Sequence, residues 1–344
     1  MSTFFKDFAA NEALCQRLGN EILASTLSHA YILHGPRGSG KHTLAYQIAA
    51  ALSCERKADG GAIPCGQCLS CKKILEKNSP DVIVIGREDK ATLGVDAIRK
   101  LKTDIYVAPN DTSVKLYIIE DAHLMTIQAQ NAFLLSLEEP PEYVLFLLLC
   151  ESTETLLETI RSRAQILHME AVPQETMDEY LCKISSDART LKASNRQEYY
   201  EVLATANGCI GTALTLLSPE ARKPLLERRE RARQFVRFFD KRKNSMAVLK
   251  YMTALGTKRD ELIEQMEAIL LCLRDLLICK QTDTPFFCFF SDAEDAHALA
   301  YRFTTPELLS LCSAVNQTID RLRANANVRL TLTALAANAG IIQI

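Results

Sequence analysis

The chain has 344 residues, of which 48% are hydrophobic and 24% charged, and its 40 basic and 42 acidic residues nearly cancel. Because the net charge is only −2, no global field favours binding to nucleic acid or to an anionic membrane. No run of about 18 apolar residues predicts a transmembrane helix, so we expect a cytoplasmic protein of two or three domains with no membrane partner.

A glycine-rich segment at residues 35–43 follows the phosphate-binding loop pattern G-x-x-x-x-G-K-[ST] up to its last position. An apolar strand is predicted before it, at residues 30–34, and a helix after it, at residues 42–52. Backbone N–H groups of such a loop bind the β-phosphate, and its lysine reaches the β/γ oxygens. A glycine-rich surface turn is the alternative. The candidate nucleotide-binding residues here are Gly35, Arg37, Gly38, Ser39, Gly40, Lys41, His42 and Thr43.

The loop departs from the pattern where a hydroxyl should bind Mg²⁺. His42 occupies that place, and the hydroxyl of Thr43 comes one residue later. The sequence therefore predicts the fold of a nucleotide-binding loop more firmly than it predicts hydrolysis.

Four of the 12 cysteines are clustered with the spacing C-x10-C-x2-C-x2-C. The other eight stand singly in apolar or helical surroundings, as buried free thiols do. Four thiolates at this spacing suit a closed, structural Zn²⁺ site, whereas iron–sulfur ligation and a redox C-x2-C pair are weaker alternatives. The predicted ligands, in a zinc module at residues 54–71, are Cys54, Cys65, Cys68 and Cys71.

Strands and helices continue to alternate after the cysteines, which is typical of a doubly wound α/β sheet with nucleotide at the strand ends. The strand at residues 115–121 ends in Glu120 and Asp121, where a P-loop ATPase has an acid for Mg²⁺ and a glutamate for the attacking water. The usual order of the two acids is reversed here, and two surface acids that end a strand are the alternative. The other predicted elements are strands at 81–85, 143–149 and 165–169 and helices at 95–105 and 127–137.

The second half of the chain is predicted to be helical. We expect a small bundle at residues 172–217 and a charged linker and opening helix at 220–243, whose basic residues are more typical of a solvated face than of a DNA contact. We expect domains at residues 1–170, 171–220 and 221–344. Apolar recurrence at helical spacing predicts further packed helices at 246–255, 259–280, 306–324 and 329–337.

Taken together, these motifs resemble the bacterial clamp-loader subunits of the AAA+ class, over about the first half of the chain. The resemblance implies an α/β AAA+ P-loop domain with a zinc module, a small helical lid domain and an all-α collar that holds subunits in a ring. It implies partners as well: other clamp-loader subunits (delta, gamma/tau) and, through the assembly, the sliding clamp and primed DNA. The matching segments, in family order, are residues 29–31, 35–41, 54–71, 115–121, 131–141 and 162–163.

Within that family the departures favour the delta-prime type, a stator that hydrolyses little or no ATP, over the hydrolysing gamma/tau type. Besides His42 and the inverted acids, Cys150 and Glu151 stand at the polar sensor, and glycines at 208–211 replace the sensor arginine. The resemblance therefore implies structural Zn²⁺, doubtful binding of ATP/Mg²⁺ and a weak or absent ATPase.

The family's Ser-Arg-Cys motif corresponds here to Ser162, Arg163 and Ala164. By resemblance, Arg163 would reach into the ATP site of the neighbouring subunit and neutralise charge on the γ-phosphate, with Arg161 as the nearby alternative. Two other functions remain open: a gamma-type ATPase, and a zinc-module DNA-binding protein whose P-loop is vestigial.

Overall fold

The computed structural model describes residues 4–5, 8, 11–57, 61–87, 91–238, 251, 255–256, 258–282, 287, 289–290 and 293–338. The chain forms two compact units. The first consists of Met1–Tyr180 with Gly208–Thr212, and the second of Leu181–Asn207 with Ala213–Ile344. The division into three domains at residues 170 and 220 stays a prediction.

The first unit is built on a parallel sheet, as the alternation of strands and helices predicted. Its strands are β1 (Ala30–His34), β2 (Val82–Ile85), β3 (Lys115–Ile119), β4 (Val144–Cys150) and β5 (Gln165–His168). They lie in the order β2-β3-β4-β1-β5, so β1 is flanked by β4 and β5. Every residue of β3 and β4 is buried, because helices cover both faces of the sheet.

The helices of this unit lie in two layers that follow from the alternation of side chains along β4. Leu145 and Leu147 pack with the layer that contains Ile48, whereas Phe146 and Leu148 pack with the opposite core. The helices are α1 (Glu12–Ala24), α2 (Lys41–Leu52), α3 (Leu69–Leu75), α4 (Val95–Asp104), α5 (Ile127–Glu138) and α6 (Glu158–Arg161).

The remainder of the described chain is helical. Its helices are α7 (Gln174–Ile184), α8 (Ser186–Ser194), α9 (Arg196–Ala206), α10 (Ile210–Leu216), α11 (Pro219–Phe238), α12 (Arg259–Cys279), α13 (Ala293–Ala300), α14 (Thr305–Arg323) and α15 (Val328–Asn338). In the second unit α11, α12 and α14 share one core around Phe235, Met266 and Val315. Among the described residues, no helix has the length and apolar character needed to cross a bilayer.

Some elements differ from the sequence prediction. The strand expected to continue through Asp121 ends at Ile119, and the charged segment after residue 219 is one 20-residue helix that contains Pro224. Helix α1 was not predicted. The short helices α3, α8 and α13 were not predicted either, because runs of seven to nine residues carry little periodicity. The helix expected at 246–255 lies outside the described residues, apart from Tyr251 and Leu255.

A buried carboxylate fixes the loop that leads into β3. Asp81, 1% exposed, accepts hydrogen bonds from the backbone N–H groups of Asn110, Asp111 and Thr112 at 2.6, 2.8 and 2.8 Å, and from the Thr112 hydroxyl. Burial raises the pKa of Asp81, but these donors outweigh it and hold the pKa below its usual value. The carboxylate therefore stabilises the first unit only while it is ionised.

We predict that Asp81→Asn lowers the free energy of unfolding of the first unit by about 2–3 kcal/mol at neutral pH, because the amide replaces charge-assisted hydrogen bonds. The pKa of Asp81 is lower in the folded chain than in the unfolded chain. Its contribution is therefore present above about pH 4 and is lost as the pH falls through the folded-state pKa. Urea unfolding followed by circular dichroism at descending pH measures both effects.

The control is Asp111→Asn, which removes a surface ion pair with Lys73 and is expected to change the unfolding free energy by about 1 kcal/mol or less. Equal losses in the two variants would contradict the prediction for Asp81.

Candidate functional site

The 35–43 loop connects β1 to α2 at the carboxyl edge of the sheet. The Gly35 N–H donates to the Cys150 carbonyl at 3.1 Å, so the backbone pairing of β1 with β4 continues into the loop. A Cβ atom at Gly35 would lie 2.7 Å from the Cβ of Met169, and Gly40 has a φ of 94°. Glycine is therefore required for packing at the first position and favoured by conformation at the second.

Lys41 begins α2 and is 8% exposed. Its Nζ donates to the carbonyl oxygens of Gly35 and Pro36 at 2.6 and 2.8 Å. Burial lowers the pKa of Lys41. Both of these partners are neutral, so the ammonium is held inside the loop with its charge available to an anion.

Both acids predicted to serve Mg²⁺ already have partners in this chain. His42 Nε2 lies 2.8 Å from Glu120 Oε1, so the residue that replaces the expected hydroxyl is paired with one of the acids. Asp121 Oδ2 accepts from Nε and Nη2 of Arg87, each at 2.9 Å. Sequence reasoning missed Arg87, because it precedes Asp121 by more than thirty residues and no motif marks it.

Residues 208–212 form a wall against the loop. The Gly211 N–H donates to the Gly38 carbonyl at 2.9 Å, and the Thr212 hydroxyl donates to the Arg37 carbonyl at 3.2 Å. A Cβ atom at Gly38 would lie 2.3 Å from Thr212 Oγ1, and its φ is 78°. The sequence indicated only that an arginine is missing at 208–211; the structure shows that glycine at 211 lets two backbones approach.

The remaining loop residues differ in their exposure to solvent. Arg37 and Thr43 are exposed, whereas the hydroxyl oxygen of Ser39 is buried and has no hydrogen-bond partner within the described ranges. A buried hydroxyl without a partner is costly unless a ligand or water satisfies it. The loop therefore retains an unused buried hydroxyl beside the lysine.

Asp121, His123 and Glu151 form a second group whose potential ligand atoms lie within 4.8 Å of one another. Asp121 is already bonded to Arg87, and Glu151 is exposed. The group follows β3 and β4, at the same edge of the sheet as the 35–43 loop.

The structure brings the four clustered cysteines together. The sulfurs of Cys54, Cys65, Cys68 and Cys71 all lie within 4.8 Å of one another, and the sulfurs of Cys65 and Cys71 are 3.9 Å apart. A tetrahedral zinc with bonds of about 2.3 Å places its sulfur ligands about 3.8 Å apart. The donor set and spacing therefore fit Zn²⁺.

Backbone donors stabilise the sulfur of Cys65 as a thiolate. The N–H groups of Gln67 and Cys68 lie 3.5 and 3.3 Å from it. Burial raises the pKa of the Cys65 thiol, but these donors outweigh it and bring the pKa to about 6. A metal at this cluster would be held by all four residues with no open position, so it would serve structure rather than catalysis.

Arg163 lies in the turn between α6 and β5, and its side chain is 38% exposed. Nη2 lies 3.1 Å from Glu138 Oε1 at the end of α5, and Nη1 donates to the Thr159 carbonyl at 3.1 Å. Arg163 precedes β5, whereas the 35–43 loop follows β1, which runs parallel to β5. The arginine and the loop are therefore at opposite edges of the sheet, separated by a strand of about 13 Å.

The family model described as "DNA polymerase III, delta subunit" matches residues 10–173. The chain is 35% identical to DNA polymerase III subunit tau of Bacillus subtilis over 214 residues and 30% identical to subunit gamma of Buchnera aphidicola over 220 residues. Each alignment covers 62% of this chain, and the chain spans 37% and 58% of those relatives' lengths. A crystal structure of a gamma subunit-related protein of Thermotoga maritima aligns with a TM-score of 0.42 at 20% identity, covering 94% of this chain and 98% of that one.

We predict that Cys65→Ser lowers the zinc content of the purified protein below one equivalent and destabilises the first unit, because three thiolates close the tetrahedron poorly. Metal analysis after gel filtration and thermal unfolding measure the two effects. Cys312→Ser, at a half-buried cysteine of α14 in the second unit, is the control and should leave the zinc content unchanged. Unchanged zinc in Cys65→Ser would refute the site.

Proposed function

Since this chain belongs, through residues 10–173, to the bacterial clamp-loader family of AAA+ proteins, we propose that it is a delta-prime-type subunit of the DNA polymerase III clamp loader. In this role it helps a ring of related subunits to place the sliding clamp on primed DNA. Its direct chemical contribution is Arg163, acting in the ATP site of a neighbouring subunit.

The position of Arg163 is the observation that carries this proposal. The arginine lies before β5 and the chain's own loop lies after β1, at the other edge of the same parallel sheet. A side chain at the amino edge cannot reach a phosphate at the carboxyl edge of its own sheet. An exposed guanidinium at this place is available to a neighbouring subunit, where it can neutralise charge on a γ-phosphate.

The chain's own nucleotide site supports a role without hydrolysis. A P-loop ATPase needs a hydroxyl and an acid on Mg²⁺ and a second acid to orient water. Here His42 stands at the hydroxyl position and engages Glu120, while Arg87 engages Asp121. Each group that would act on Mg²⁺ or on water is thus occupied within the chain.

The rest of the molecule fits assembly better than direct DNA binding. Basic residues of α11 are paired with acids, as in Arg228 with Glu264 and Arg231 with Glu227, so they offer little unneutralised charge to phosphates. We assign the four-cysteine cluster a structural zinc. We further assign residues 171–220 to a lid domain and residues 221–344 to a collar domain that holds the ring together.

A gamma/tau-type ATPase is the second candidate, because the relatives at 35% and 30% identity are a tau and a gamma subunit. In that case Lys41, Thr43 and Asp121 would bind and hydrolyse ATP in this chain. The two candidates differ in which residue the turnover of the assembly depends on.

We predict that Arg163→Ala reduces ATP hydrolysis at the neighbour's site by roughly a thousandfold, as for loss of an arginine finger. The measurement is DNA- and clamp-stimulated ATP turnover of the reconstituted loader. Lys41→Ala should leave this turnover nearly unchanged, because the chain's own site does not hydrolyse.

Arg161→Ala is the matched control, since it removes an exposed arginine two residues away at the end of α6. Loss of turnover with Lys41→Ala would replace the delta-prime assignment by the gamma/tau one. If ATP turnover is lost with Arg161→Ala and kept with Arg163→Ala, the trans-acting role belongs to Arg161.

A further inference from the structure

The 35–43 loop lacks the hydroxyl expected to bind magnesium but keeps groups that can bind phosphate. In α2, Thr43 follows His42 by one residue and is therefore rotated by about 100° around the helix. Its hydroxyl cannot take the position that the His42 ring occupies against Glu120 at 2.8 Å. Mg²⁺ requires oxygen ligands in near-octahedral geometry, and an imidazole already bonded to the carboxylate offers none.

The second acid is equally engaged. Arg87 binds Asp121 Oδ2 through two nitrogens, and the carboxylate is 38% exposed. A divalent cation at the end of β3 would have to displace Arg87 from Asp121 and His42 from Glu120. With these partners in place, both carboxylates are already engaged within the chain.

The groups that bind an anion remain. Lys41 Nζ is inside the loop and bonded only to neutral carbonyl oxygens in the contacts described above, at 2.6 and 2.8 Å. The buried Ser39 hydroxyl is unsatisfied within the described part of the chain. Lys41 Nζ can donate to a phosphate oxygen, next to the positive amino end of α2.

The wall formed by residues 208–212 leaves the Gly38 N–H available as a donor. It bonds to carbonyl oxygens of the loop, those of Arg37 and Gly38. A trans peptide carries its C=O and N–H on opposite sides, so the peptide whose Arg37 carbonyl accepts from Thr212 directs the Gly38 N–H away from the wall. These contacts hold the loop in shape without consuming that donor.

We propose that the 35–43 loop binds the diphosphate group of a nucleotide, or free pyrophosphate, without a divalent cation. Lys41 and the Gly38 N–H hold the phosphates, and His42 takes the place of the metal beside Glu120. The bound nucleotide is then a structural ligand of this subunit and not a substrate. The inference concerns this loop alone, and its test uses the isolated chain without the reconstituted loader that tests the role of Arg163.

The test is calorimetric titration of the full chain with ADP and, separately, with pyrophosphate, in magnesium-free buffer and with each probe saturated with magnesium. A chelator is avoided, because it would also compete for a metal at the four-cysteine cluster. The expected result is a dissociation constant that changes less than about threefold between the two conditions. Equal affinity for both probes would identify the diphosphate as sufficient, and preference for ADP would add a nucleoside contact.

The decisive variant is His42→Ser, which supplies the missing hydroxyl and frees Glu120. In this variant the affinity should fall roughly tenfold without magnesium and should be restored when magnesium is added. Binding would then depend on magnesium. Lys41→Ala should abolish binding under both conditions, which would show that the measured heat of binding comes from this loop. His297→Ser, at an exposed histidine of α13 in the second unit, is the matched control and should bind as the unmodified chain does.

Two results with the unmodified chain, and a third with the Lys41→Ala variant, would overturn the proposal. One is binding by the unmodified chain that requires magnesium, and the other is no binding of either probe under either condition. Magnesium-independent binding that survives Lys41→Ala would overturn it as well, because the site would then lie elsewhere.

Discussion

The backbone pairing of β1 with its two neighbours, β4 and β5, continues past the end of the strand, and the geometry of the candidate site depends on it. The Gly35 N–H reaches the last carbonyl of β4 at Cys150, and the Met169 N–H reaches the His34 carbonyl. The loop thus begins as a hydrogen-bonded extension of β1. Because parallel strands end at the same edge, this extension brings the loop to the acids that follow β3.

The two side-chain pairs at that edge, His42 with Glu120 and Arg87 with Asp121, matter more because they occupy the two carboxylates than through their contribution to stability. His42 and Glu120 are 54% and 35% exposed, and Arg87 and Asp121 are 33% and 38% exposed. Pairs exposed to this degree contribute about 1 kcal/mol or less to folding. Their consequence is local: Glu120 and Asp121 are each held by a side chain from another element, whereas the partners of the buried lysine among the described residues are carbonyl oxygens.

The sequence predicted the parallel sheet, helices α2, α4 and α5 and the clustering of the cysteines, because strand apolarity, helical periodicity and cysteine spacing are local patterns. It could not predict that Arg87 pairs with Asp121 or that Glu138 pairs with Arg163, since such pairs depend on how distant segments meet. Gly211 illustrates the same limit. Its spacing suggested a lost arginine, yet only the structure reveals the close approach to Gly38 that a side chain would disturb.

The pairing of Arg163 with Glu138 and with the Thr159 carbonyl reduces the conformational entropy of the Arg163 side chain. A free arginine side chain loses about 2 kcal/mol of rotamer freedom when it is fixed in one geometry. Here part of that ordering has already occurred, and the exposed pair that imposes it is weak enough to be exchanged for a phosphate. The guanidinium is thus preorganised but not locked, and Glu138, at the carboxyl end of α5 where a negative charge is unfavourable, gains the most from the interaction in the isolated chain.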